Sequence, residues 1–89
     1  MAGEQKRKAR QVMVTKALLL GYTIDLASSS RHRGQYVLIK PDGTVYAEYV
    51  HRPPGYSQGP FVAHFAAPWV AAHRALILAG VIPDAKNTR

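Results

Sequence analysis

The 89-residue sequence has no cysteine, and this absence excludes several kinds of chemistry at once. Without a thiol, the chain has no disulfide framework, no thiolate metal site and no cysteine nucleophile. Such a composition is typical of proteins in the reducing cytoplasm, and we expect this protein to be cytoplasmic.

Long apolar runs are also lacking. The longest run near a predicted helix, Leu76 to Val81, is broken by Gly80 and is far too short to cross a bilayer. The segment from Met1 to Arg10 is too polar for an export signal. The sequence therefore predicts a protein with no membrane partner.

Motifs of catalysis and metal binding are scarce as well. The chain contains no Gly-x-Ser-x-Gly, no phosphate-binding glycine loop and no His-Glu-x-x-His. His64 and His73 do not have a standard spacing for metal ligands, and the helix pattern favours a partly buried position for His73. Asp25 and Glu48 would be neighbours only if the first and third predicted strands paired. We predict a protein that is not an enzyme and has neither a cofactor nor a metal site.

Acidic residues are few. Five Asp and Glu stand against twelve Lys and Arg, which gives a net charge of +7 and an isoelectric point of about 10.2. A surplus of this size on a small protein attracts polyanions, so nucleic acid is the first partner to consider. Acidic proteins and anionic membranes are attracted too, and the charge also fits a basic protein without any such partner.

The length and the apolar content predict one domain. Because 47% of the 89 residues are apolar, the chain is able to bury a single small core, and residues 1–89 form one basic domain. Its polar ends, residues 1–8 and 84–89, are predicted to fray.

The strongest turn signal, Lys40-Pro41-Asp42-Gly43-Thr44, separates two runs rich in β-branched and aromatic residues. Pro41 favours the first turn position, and Gly43 allows the positive φ of a type I turn with a G1 bulge. This turn predicts a hairpin in which Ile39 lies opposite Val45. A two-residue turn at Asp42-Gly43 would shift every cross-strand pair by one residue, so the sequence leaves open which face of the hairpin is buried. One face carries Val37, Ile39, Val45 and Ala47, and the other carries Tyr36, Leu38, Lys40, Tyr46 and Glu48.

Helices are predicted on both sides of this hairpin. Helical spacing of apolar residues covers Gly3 to Leu20, although cations at its start oppose the helix dipole and favour a beginning near Ala9 or Arg10. The second helix begins with Pro68 or the residue before it, because proline is tolerated in the first turn, and Gly80 closes it.

The remaining segments are predicted as one strand and two loops. Tyr22 to Leu26 alternates apolar and polar residues, as a half-buried strand does. Residues 27–34 have no periodicity, and residues 51–60 contain three prolines and two glycines. Residues 61–65 fit either a short strand or irregular structure, and we favour the latter. The order predicts an α+β fold, α-β-β-β-α, with a three-stranded antiparallel meander covered on one face by both helices.

This order of elements resembles the double-stranded RNA-binding domain. His32 lies in the first inter-strand loop, four residues before Tyr36, and the last helix is alanine-rich at Ala71-Ala72-His73-Arg74-Ala75-Leu76. In that family the first helix, the histidine-bearing loop and a lysine cluster opening the last helix contact RNA. Here Pro68-Trp69-Val70 stands in place of the lysine cluster, and residues 51–67 exceed the family's short link. The resemblance is therefore one of architecture.

Two basic segments are the predicted phosphate contacts. Arginines on a serine-rich loop can adapt to phosphates, and the cluster in the first helix suits a basic arm that follows a phosphate backbone. Solvated turns and solubilising termini have the same composition. We predict a non-enzymatic protein that binds DNA or RNA. The predicted contacts are Lys6, Arg7, Lys8, Arg10, Arg31, His32, Arg33 and Lys40.

A protein partner is the alternative. Hairpin tyrosines would stack on unpaired bases or form a protein-binding patch, unless the second helix or the long loop covers them. Exposed tyrosine and arginine together suit a protein interface, and an uncovered apolar sheet face also favours a homodimer. Such a module would be a small inhibitor or adaptor of the kind that phages encode against host proteins. Its predicted contacts are Tyr36, Tyr46, Arg52 and Tyr56.

Overall fold

A computed structural model describes residues 2–84 of the chain. This part contains two helices, four strands and one short 3-10 turn, so the predicted α+β class is confirmed. No helix within it has both the length and the apolar character needed to span a membrane. The helices are α1 (Ala2–Leu19) and α2 (Pro68–Leu78), the strands are β1 (Thr23–Leu26), β2 (Tyr36–Ile39), β3 (Ala47–Val50) and β4 (Gly59–Val62), and the 3-10 turn covers Ser30–His32.

The predicted three-stranded meander is wrong. β1 pairs with β2 and β3 pairs with β4, both antiparallel, which gives two two-stranded sheets. The reason lies at Tyr46, whose N–H donates to the Leu38 carbonyl at 2.7 Å while its own carbonyl accepts from the Ala63 N–H at 3.1 Å. After this residue the chain leaves β2 and continues beside β4. Residues 61–65, which we predicted to be irregular, therefore include the end of β4.

The hairpin turn itself is confirmed. The Lys40 N–H donates to the Thr44 carbonyl at 2.8 Å, and Gly43 has a φ of 89°, as the bulge requires. Ile39 and Val45 form the predicted bridge. Asp42 accepts bonds from the Thr44 hydroxyl and the Thr44 N–H, at 2.6 and 3.0 Å, and these bonds hold the pKa of Asp42 below its usual value. The turn is thus fixed by its own residues.

The core decides which hairpin face is inside. Leu38 is fully buried, and Tyr46 packs against the same cluster, so the face that carries Tyr36 and Leu38 points inward. We call the opposite face, with Val37, Ile39 and Val45, the outer face. Both helices contact the β1–β2 sheet and each other, and the buried cluster is made of Ala17, Tyr22, Leu38, Ala71, Ala72 and Ala75.

Helix α1 begins earlier than the charge pattern predicted. It is helical from Ala2, so the basic residues that were expected to fray form regular turns. Glu4 lies in the first turn, where a carboxylate interacts favourably with the helix dipole, and the segment is rich in strong helix formers. Farther along, the Arg10 guanidinium lies 4.3 Å from the centre of the Trp69 ring, which ties α1 to the start of α2.

Two further expectations are corrected at the carboxyl-terminal half. The long loop is shorter than predicted, because β4 already begins at Gly59. Pro60 is compatible with β4 because this strand pairs only with β3. In such an edge strand, not every backbone N–H has to donate a hydrogen bond to a neighbouring strand. His73 is exposed rather than partly buried. Of the predicted tail at 84–89, only Asp84 belongs to the described residues.

Candidate functional site

The outer face of the hairpin is partly open, because Val45 is exposed while Val37 and Ile39 are half-buried. It lines an open cavity of about 430 Å³, which we call the apolar cavity. Asp25 also lines this cavity, because it pairs with Val37 across β1 and β2. The apolar cavity is lined chiefly by Val37, Ile39, Val45 and Val62, with Asp25, Ser28 and Ser29 among its polar residues.

A second cavity of about 540 Å³ adjoins the first, and we call it the cationic cavity. Three residues, His32, Val62 and His64, line both cavities, so the two cavities adjoin at these side chains, and we call them together the groove. The full lining of the cationic cavity is Arg31, His32, Arg52, Ser57, Phe61, Val62 and His64.

Two histidines stack where the cavities meet. The ring centroids of His32 and His64 lie 3.6 Å apart, and the ring planes differ by 9°. His32 is the last residue of the 3-10 turn, whose start is capped by the Ser29 hydroxyl accepting from the Arg31 N–H at 3.2 Å. The Gln35 N–H donates to the His32 carbonyl at 3.0 Å and fixes the end of that turn. Residues far apart in the chain thereby form one wall of the groove.

Arg52 is oriented by contacts on its backbone and its side chain. The Gln58 carboxamide accepts from the Arg52 N–H at 2.9 Å and donates to the Arg52 carbonyl at 2.7 Å, as a strand partner would. It also donates to the carbonyls of Pro53 and Tyr56. The Arg52 guanidinium lies 4.7 Å from the centre of the Phe61 ring. The β3–β4 loop therefore presents this cation in a defined position.

No carboxylate of the described residues neutralises the two arginines of the groove. The ion pairs within residues 2–84 join Arg74 to Glu48 at 3.8 Å and Arg74 to Asp84 at 3.9 Å, and Arg31 and Arg52 take part in neither. Guanidinium groups bind phosphate and carboxylate oxygens through forked N–H donors. The cationic cavity is therefore suited to an anionic group, and the apolar cavity, with its aliphatic lining, to an uncharged one.

The structure brings together only part of the predicted nucleic-acid set. Arg31 and His32 line the groove, whereas the other six residues line neither of its cavities. Arg10 lies against Trp69, and Lys40 is half-buried beside the hairpin turn. The remaining predicted residues, Lys6, Arg7, Lys8 and Arg33, have exposed side chains.

The tyrosines of the alternative set are divided between the core and the surface. Tyr36 is half-buried, and its N–H and carbonyl each bond the backbone of Phe65 at 2.8 Å. The Tyr46 hydroxyl donates to Glu48 at 2.6 Å, and its ring stacks on Phe65 with centroids 6.4 Å apart. Burial, together with the bond to Glu48, raises the pKa of Tyr46 to about 12. Tyr56 remains exposed on the β3–β4 loop.

In the cationic cavity, sequence reasoning missed four residues, Ser57, Phe61, Val62 and His64. Their signal is the alternation in Phe61-Val62-Ala63-His64, which puts Val62 and His64 on one face if the segment is a strand. His64 was considered only as a metal ligand, from its spacing to His73. Within residues 2–84, no group of three or more His, Asp or Glu is arranged to hold a metal ion.

No protein-family model, curated protein or solved structure matches this chain. The resemblance to the double-stranded RNA-binding domain therefore rests on the element order and the few residues named above, and the fourth strand and the two separate strand pairs depart from that architecture.

Proposed function

We propose that this chain is a small non-enzymatic nucleic-acid-binding protein whose main phosphate contacts are Arg31 and Arg52. One observation carries the proposal: two arginines outside the ion pairs of the described residues line the same cavity, in a chain with a net charge of +7. A phosphate in the cationic cavity would accept bonds from both guanidinium groups. Ser57 and the histidine pair add further polar partners at the same place.

The exposed cations of α1 support the same function in a different way. Lys6, Arg7 and Lys8 lie outside the groove and have exposed side chains. Charges in such positions raise the local concentration of a polyanion and speed its association, without selecting any base. The groove would then supply the fixed phosphate contacts, and the cations of α1 would supply a general attraction for the polyanion.

The test is a salt titration of binding. A fluorescently labelled oligonucleotide of mixed sequence is titrated with the protein by anisotropy, at several concentrations of sodium chloride. We expect log Kd to rise linearly with log salt. Arg31→Ala and Arg52→Ala should each reduce the slope by about 0.7 to 0.9, the value for one phosphate contact. Arg31→Lys and Arg52→Lys should largely restore it, because the charge is kept.

Arg33→Ala is the matched control, since it removes one exposed cation at the end of the 3-10 turn, outside α1, and Arg33 lines neither cavity of the groove. This variant should keep the slope of the unchanged protein. Failure to retain either DNA or RNA at low salt would disprove the proposed function. Equal slopes for the arginine variants and the unchanged protein would disprove the assignment of Arg31 and Arg52.

A partner protein is the second candidate, favoured by a different surface. Leu19 is 82% exposed, and together with Leu20 and Val81 it lines an open apolar cavity of about 260 Å³ where the two helices end. Exposed apolar patches of this kind mark protein interfaces. In nuclease-treated lysate, the protein should recover a defined partner that Leu19→Lys fails to recover. Identical recovery by both would exclude this surface.

A further inference from the structure

We infer that the nucleic acid bound by this protein is single-stranded, with an unpaired base on the apolar cavity and its phosphate in the cationic cavity. This inference rests on the proposed function and specifies its substrate class. It follows from the shape, the charge distribution and the ring pair of the groove.

The first argument is the open apolar surface beside the arginines. Val45 and Val62 are 42% and 44% exposed, and Val37 and Ile39 are half-buried on the same face. An unpaired base has two flat faces that gain by leaving water on such a surface. In a duplex those faces are stacked inside the helix, and only phosphates and groove edges reach a protein. A duplex would therefore leave the apolar cavity without an apolar partner.

The second observation is that the two cavities of the groove carry side chains of opposite charge. Arg31 and Arg52 line the cationic cavity, whereas Asp25 lines the apolar cavity. The Asp25 carboxylate repels a phosphate, but it accepts hydrogen bonds from the N–H groups of a base edge. The groove is thus complementary to a ligand with one anionic end and one neutral, donor-bearing end. A nucleotide within a single strand has this chemistry.

The third argument is the histidine pair between the two ends. His32 and His64 border both cavities, and their rings are parallel within 9°. Aromatic rings are the usual stacking surfaces for splayed-out bases. His32 ends the 3-10 turn and His64 follows β4, so two separate backbone segments position the stacked pair.

The experiment compares one oligonucleotide alone and annealed to its complement. We expect the single strand to bind at least tenfold more tightly than the duplex. Val45→Thr combined with Val62→Thr keeps the β-branched shape but removes apolar surface from the groove. This double variant should weaken single-strand binding by about fivefold or more, because on each residue a methyl group is replaced by a hydroxyl that the base would strip of water, while the salt slope stays the same.

Val50→Thr is the control, because Val50 lies on β3 but lines neither cavity. It should leave single-strand affinity unchanged, and circular dichroism should show the same fold for all variants. Equal binding of both forms, or no effect of the double variant, would overturn the single-strand inference while the proposed function stands. No retention of either form would overturn the proposed function itself. Recovery of a partner protein that only the double variant loses would assign the groove to protein binding instead.

Discussion

At the scale of single residues, Tyr46 links the core to the surface charges. Its hydroxyl donates to Glu48, which also pairs with Arg74, and burial with this bond raises the Tyr46 pKa from 10.0 to about 12. The folded state therefore prefers the neutral phenol. Its contribution to stability is complete below about pH 10 and is lost as the pH rises toward 12.

We predict that an ultraviolet titration of the folded protein will show a late ionisation step, near pH 12, that belongs to Tyr46. Tyr46→Phe should remove this late step and the loss of stability between pH 10 and 12 that accompanies it. Tyr56→Phe, which changes an exposed tyrosine, should leave the late step in place. If Tyr46→Phe kept the late step, the assignment to Tyr46 would be wrong.

The residue scale also explains why the site was only half predictable. The Arg31-His32-Arg33 cluster is visible in the sequence because it is local, and two of its three residues line the groove. Arg52 was predicted for a protein interface instead, since nothing in the sequence tells where its side chain lies. Its position depends on Gln58, whose amide substitutes for a backbone partner, and such bonds have no sequence signature.

At the scale of secondary structure, α1 and α2 approach closely because the buried residues between them are small. Ala17, Ala71 and Ala75 are fully buried in one cluster, and the helices contact each other. A larger side chain at such a site displaces its neighbours, because protein interiors are close-packed. We predict that Ala75→Leu will lower the free energy of unfolding by about 1 to 3 kcal/mol.

Urea denaturation followed by circular dichroism measures this effect. Ala9→Leu is the matched control, because it makes the same change at an exposed position of α1. Leucine is nearly as good a helix former as alanine, so the control should stay within about 0.5 kcal/mol of the unchanged protein. Similar values for the two variants would mean that the contact between the helices tolerates larger residues.

The same scale separates what the sequence could predict from what it could not. The turn at Pro41 to Gly43 was predictable with its register, because its conformation follows from local residue types. The pairing of β3 with β4 was not, because Pro60 and the two glycines obscure β4 and its partner lies across the long loop. The early start of α1 was missed because dipole repulsion is weaker than helix propensity summed over the segment.

At the scale of the whole molecule, two regions of positive charge among the described residues bear on the proposed function. One is the groove with Arg31 and Arg52, and the other is the first half of α1, whose exposed cations line neither cavity of the groove. Under the proposed function these regions have different tasks. Exposed charge accelerates encounter with a polyanion, whereas fixed contacts set how long the complex lasts and what it prefers.

We therefore predict that removing three exposed cations with Lys6→Ala, Arg7→Ala and Lys8→Ala will slow association with a labelled single strand and weaken its salt dependence. The ratio of single-strand to duplex affinity should stay the same, because no base-contacting surface is altered. Stopped-flow fluorescence gives the association rate, and anisotropy gives the ratio. Arg52→Ala is the comparison, because it should act mainly on the dissociation rate. If the triple variant changed the ratio instead, α1 would itself contact bases, and the division between steering and recognition would not hold.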